Sequence, residues 1–130
     1  MTLPPFATLL GATLERDEHG APVLLLPFTD HVVGRPGFLH GGAIAGLLEQ
    51  AALAALRHAL DAQGAGDAVR VEPVSLTTDF QRGGRPINTR AAGTVTRLGA
   101  RVANVDAVAW QDDRTRPIAS ARMNCLLTRD

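Results

Sequence analysis

Lysine is missing from this chain of 130 residues: the 13 basic residues are all arginine, and 13 acidic residues balance them to a formal net charge of zero. General nucleic-acid binding needs a basic surplus to neutralise phosphates, so the balance argues against that class of partner. Any phosphate on a ligand must be met by arginine forks, backbone N–H groups or helix termini. There is one cysteine, Cys125, which excludes an internal disulfide. The N-terminus has neither the basic nor the apolar region of a signal peptide, so a cytoplasmic location is expected. Long apolar runs are missing too. The longest, Gly41 to Leu56, is interrupted by Glu49 and Gln50 and is too short to cross a bilayer, so no membrane partner is expected.

What the chain has is material for a core, since 45% of its residues are hydrophobic and only 20% are charged. That composition is far from the disordered range, and the length suits one domain covering residues 1–130. Residues 1–12, with Pro4 and Pro5, read as a leading segment. Two short strands are expected at Thr13–Asp17 and Val23–Thr29, split by turn residues around Gly20. After a loop broken by Gly34, Pro36 and Gly37 comes one long helix, rich in Ala and Leu, free of Pro and ending near Gly64. Its apolar positions run almost all the way round, as in a buried helix.

Beyond the helix the period changes from 3.6 to 2, giving expected strands at Val74–Gln81, Thr89–Leu98, Val102–Gln111 and Ile118–Thr128. Breaks such as "RGGRP" and "DDRTRP" suggest an antiparallel meander. The fold class is therefore α+β, with the small residues Ala103, Ala107 and Ala109 allowing sheet and helix to approach closely.

Two features carry chemistry. His40, Gly41 and Gly42 stand just before the helix, where glycines leave N–H groups uncovered and the helix dipole adds positive charge. A carbonyl oxygen placed there would be polarised, as in an oxyanion hole. Glu49 lies inside the apolar body of the helix, flanked by Leu47, Leu48, Ala51 and Ala52. A carboxylate in such company needs a partner or has a function, and from the residues alone both readings stand.

The triplet His40-Gly41-Gly42, with Glu49 nine residues after His40, resembles the hotdog-fold thioesterases of the phenylacetyl-CoA and 4-hydroxybenzoyl-CoA type. The resemblance runs from about Val23 to Leu127 and includes the order of helix then four strands. It implies an antiparallel sheet wrapped around one long central helix, in a homodimer or homotetramer that hydrolyses an acyl-CoA. No cofactor is implied beyond the coenzyme A of the substrate. By the same resemblance the Gly41 N–H would polarise the thioester carbonyl, Glu49 would act as nucleophile or general base, and His40 would hold the loop. Where the family usually carries Asn or Gln ahead of the histidine, this chain has Gly34 and Arg35. Where some members use Ser or Thr, one helical turn after the carboxylate or at the start of the next strand, it has Leu53 and, approximately, Pro73, with Ser75 near the second position as a substitute.

Related enzymes seat the coenzyme A phosphates near the hairpin between the middle strands, which makes Arg97 and Arg101 candidates and Arg82 and Arg85 weaker ones. His31 and His58 have no partners at metal-ligand spacing, so no metal site is expected. Two other readings share the fold. A non-catalytic acyl-CoA binding module is favoured by the missing Asn or Gln. An enoyl-CoA hydratase or dehydratase is suggested by "HVVGRP", but His31 stands eighteen residues before Glu49, too far for that motif. Within the thioesterase reading, helix geometry separates Gly41 from Glu49 by roughly 12 Å along the axis, so one carbonyl cannot touch both. The two groups acting on one substrate are then expected to come from different subunits.

Overall fold

The Pro-free stretch expected to be helical folds as one helix, Gly41–Ala62, laid across a six-stranded antiparallel sheet. The computed structural model describes residues 1–129 and runs α1 (Pro5–Leu10), β1 (Thr13–Arg16), β2 (Pro22–Leu26), α2 (Gly41–Ala62), β3 (Val69–Phe80), β4 (Thr89–Leu98), β5 (Val102–Trp110) and β6 (Ala119–Arg129). This is the hotdog architecture expected from the sequence. Short α1 was not expected. Pro5 presets the helical backbone at its first position and Gly11, at φ 96°, closes its last turn, but six residues are too few to show a period.

Strand order across the sheet is β1-β2-β4-β5-β6-β3. Only β4, β5 and β6 form the expected meander; β3 crosses to the far edge and pairs with β6 rather than with β4. Its composition explains the place. Its outward row, Arg70, Glu72, Ser75, Thr77 and Asp79, is wholly polar, and Pro73, which cannot donate to a ladder, is tolerated only at an edge or a bulge. A bulge does occur there, between Pro73 and Ser75, and the strand begins at Val69 instead of the expected Val74.

The helix-facing rows of β4 to β6 are made of small residues, among them Ala91, Ala103, Ala107 and Ala119, all buried against Leu47, Leu48, Leu56 and Leu60 of α2. Each of those leucines, fully removed from water, contributes about 1.5–3 kcal/mol. Gly93 of β4 fixes the spacing: a Cβ built on it would stand 2.8 Å from Ala55 Cβ and 3.0 Å from the Ala51 carbonyl oxygen. The helix thus rests nearly on the sheet backbone. Among the described residues no helix is long and apolar enough to cross a membrane.

Candidate active site at the start of the long helix

His40 is the N-cap of α2, and its Nδ1 accepts the Gly42 N–H at 2.8 Å. When the imidazole is neutral this bond puts the ring proton on Nε2. Gly42 is required by that cap, since a Cβ on it would lie 2.9 Å from the His40 ring. The Gly41 N–H is different. It has no hydrogen-bond partner among the described residues, and a Cβ at Gly41 would meet only the Phe80 ring, at an ordinary 3.7 Å. Of the paired glycines, Gly42 serves the cap and Gly41 leaves an open donor at the positive end of the helix.

That donor opens on a cleft of about 390 Å³ bordered by Arg35, Phe38, His40, Phe80 and Arg82. The Arg35 guanidinium lies over the Phe38 ring, 4.0 Å from its centroid. The loop carrying them is pinned by His40 N–H donating to Val32 O at 2.7 Å and Leu39 N–H to Gly84 O at 3.0 Å. At Gly34, where the resemblance leads one to look for Asn or Gln, a Cβ would stand 3.1 Å from His40 Cα. The backbone itself fills the space such a side chain would need.

Glu49 is half-buried two turns along α2, and Gln50 Nε2 donates to its Oε1 at 3.3 Å. Its side of the helix is marked by Cys125 of β6: burial first, and then the Glu49 carboxylate, push that thiol up to about 11. Because β6 is followed outward only by β3, Glu49 stands near the free edge of the sheet.

The other sequence-derived candidates are not brought to this centre within one chain. Ser75 pairs with Asn124, whose neighbours Met123 and Cys125 face the helix, so Ser75 lies on the outer face of the sheet. There its Oγ accepts from Asn124 Nδ2 at 2.9 Å, turned away from Glu49. Arg97 and Arg101 flank the β4–β5 turn, and the Leu127 N–H bonds the Arg101 carbonyl. Leu127 lies opposite Val71, nine residues from Phe80, which places that turn roughly 30 Å along the sheet from the Gly41 cleft. Arg82 and Arg85, the weaker candidates, are nearer: Arg82 borders the cleft, and Arg85 beside it bonds Asp112. In the sequence Gln50 shows only as a break in the apolar run, because an amide beside a glutamate on a helix has no further distinguishing pattern.

With this geometry in view, comparison with known families matches residues 36–118 to the thioesterase superfamily. The chain belongs to that superfamily. Thioester hydrolysis is the chemistry the membership supports. A comparison with curated proteins gives no significant match. Among solved structures the chain is similar to a protein from Chromobacterium violaceum, at 36% identity and TM-score 0.71, covering 95% of this chain and 83% of that one. A phenylacetic acid degradation-related protein from Ralstonia eutropha shares 21% identity over 97% of this chain and 92% of its own, with TM-score 0.80. A protein from Bacillus halodurans, solved with CoA, shares 20% identity over 98% of this chain and 80% of its own, also with TM-score 0.80. The last two likenesses establish the fold.

Proposed function

We propose that this superfamily member is an acyl-CoA thioesterase of the phenylacetyl-CoA and 4-hydroxybenzoyl-CoA type, working as a homodimer or homotetramer with sites between chains. The observation that carries the reading is the unpartnered Gly41 N–H at the mouth of the cleft, on the same helix as the carboxylate Glu49 but too far along it to share a substrate atom. In this reading the Gly41 N–H of one subunit binds the thioester oxygen, and the developing oxyanion is stabilised there by the helix end. Glu49 of the other subunit takes a proton from the water that attacks the carbonyl carbon, or attacks it directly to give a mixed anhydride that water then hydrolyses. The C–S bond breaks, coenzyme A leaves as thiolate and gains a proton, and the acid is released. His40 keeps the loop and the Gly41 donor in place.

The edge of the sheet supports the two-chain arrangement. β3 is twelve residues long and hydrogen-bonded on one side only, and it carries exposed apolar side chains, with Val74 63% and Phe80 55% accessible. Long unpaired edges of that kind are templates for pairing. Antiparallel union of two such strands about a two-fold axis would set the Phe80 end of one beside the Val69 end of the other. It would also bring a second Glu49 toward the first chain's Gly41. The partner's Arg97 and Arg101 then lie on the cleft side, where with Arg35 and Arg82 they would meet the phosphates of coenzyme A.

A thiol-release screen over aromatic, short-chain and long-chain acyl-CoAs tests the proposal. Turnover of at least one class is expected, with aromatic acyl groups preferred. Tight binding without thiol release would establish the non-catalytic module instead, and hydration of an enoyl-CoA would establish the hydratase.

A further inference from the structure

Gln50 is a buried polar side chain whose only hydrogen bond among the described residues goes to the carboxylate beside it. It is 3% exposed, its Nε2 donates to Glu49 Oε1 at 3.3 Å, and its own Oε1 is buried with no partner among the described residues. The orientation of the amide is determined by that neighbour, because the reverse would set two oxygens against each other. An unpartnered buried carbonyl opposes folding, and an apolar side chain of the same length would avoid it. The residue is therefore poorly explained by stability.

The surroundings add a second observation. One turn before Gln50, on the same side of α2, stands Gly46, and a Cβ there would lie 3.0 Å from the Phe6 ring of α1. The short α1 thus closes down on this part of the helix, with Ala7 fully buried. Gln50 is buried there, and Glu49 beside it is half-buried. A single N–H on one carboxylate oxygen restricts the rotamer of the acid and leaves the other oxygen for chemistry.

We propose that Gln50 is a positioning residue: it holds one oxygen of Glu49 so that the other is presented at the free edge of the sheet, toward the substrate. This rests on the reading of Glu49 as the reacting carboxylate. The side chain acts through Glu49.

The test compares three variants of the full-length oligomer with wild type, each by thermal melting and by steady-state thiol release from the best acyl-CoA. Gln50→Met keeps the length, removes the donor and removes the orphaned carbonyl. It is expected to melt at or above the wild-type temperature while kcat falls by about ten-fold to a hundred-fold, and KM stays within about two-fold. Gln50→Glu keeps the shape but sets a second carboxylate against the first, and is expected to lower kcat at least as far. Glu49→Gln is the reference. If it retains activity, the assignment of Glu49 fails and this proposal with it. If Glu49→Gln is inactive while Gln50→Met hydrolyses at the wild-type rate, only the positioning role is overturned. A Gln50→Met chain whose kcat falls together with its melting temperature, with Gln50→Glu stable and fully active, would make Gln50 an ordinary packing residue and would also overturn it.

Discussion

The imidazole of His40 and the backbone N–H of Gly42 are joined at 2.8 Å, and that bond decides which of two adjacent glycines is left open to a ligand. Losing the cap through His40→Ala should cost about 1 kcal/mol, lowering Tm by about 4 °C. Gly41→Ala should behave in the opposite way. Its Cβ meets no close contact, and alanine favours the helix, so Tm should hold or rise while thioester hydrolysis falls by about a hundred-fold through obstruction of the donor. Calorimetry and thiol release on the two variants check both halves.

Gly93 sets the distance between sheet and helix. A methyl group there would press on Ala55 Cβ and the Ala51 carbonyl, both on the rigid helix. Gly93→Ala should destabilise the fold by about 1–3 kcal/mol through overpacking, read as a lowered denaturant midpoint with unchanged slope.

Cys125 is buried in the sheet beside Glu49, and its thiol is pushed up to about 11, burial being the larger cause. Only the thiolate reacts, and near pH 8, well below that value, the folded protein holds almost none. Alkylation by iodoacetamide at pH 8 should be negligible in the native protein and fast once denaturant is added. Rapid labelling of the native chain would contradict the placement of Cys125.

Much of this arrangement is legible from the residues. The alternation of Ala119, Ala121, Met123, Cys125 and Leu127 marks one face of β6, and the Pro-free run marks α2, because both are long enough for a period to register. The order of strands is another matter. Nothing local says that β3 skips β4 to reach β6, since strand pairing is set by long-range contacts. Ser75 shows the same limit: a place near the start of the strand after the helix does not reveal the bulge and pleat that turn it outward. Gly34 is legible only as a departure from a pattern, and the tight approach a Cβ there would make to His40 Cα supplies a physical reason. The burial of Gln50 is a tertiary property with no sequence signature.

If β3 joins two chains, its exposed apolar side chains are what a charge should disrupt. Val74→Lys places a charge at the bulge of the free edge and removes the most exposed apolar side chain of that strand. Sedimentation should shift toward the monomer, with hydrolysis lost in step and the circular dichroism of the chain unchanged. A Val74→Lys protein that stays oligomeric and active would remove this edge from the interface.

The most direct test of a site built from two chains is complementation between inactive partners. A chain carrying a bulky replacement at Gly41, such as Gly41→Phe, is mixed in equal amounts with a chain carrying Glu49→Gln, under conditions where subunit exchange is verified. In the mixed dimer one site collects both defects and the other has neither. Random pairing of inactive parents should therefore restore thiol release to about a quarter of the wild-type rate by two-fold symmetry. A mixture that exchanges subunits yet stays as inactive as its parents would show that Gly41 and Glu49 of different chains do not act on one thioester.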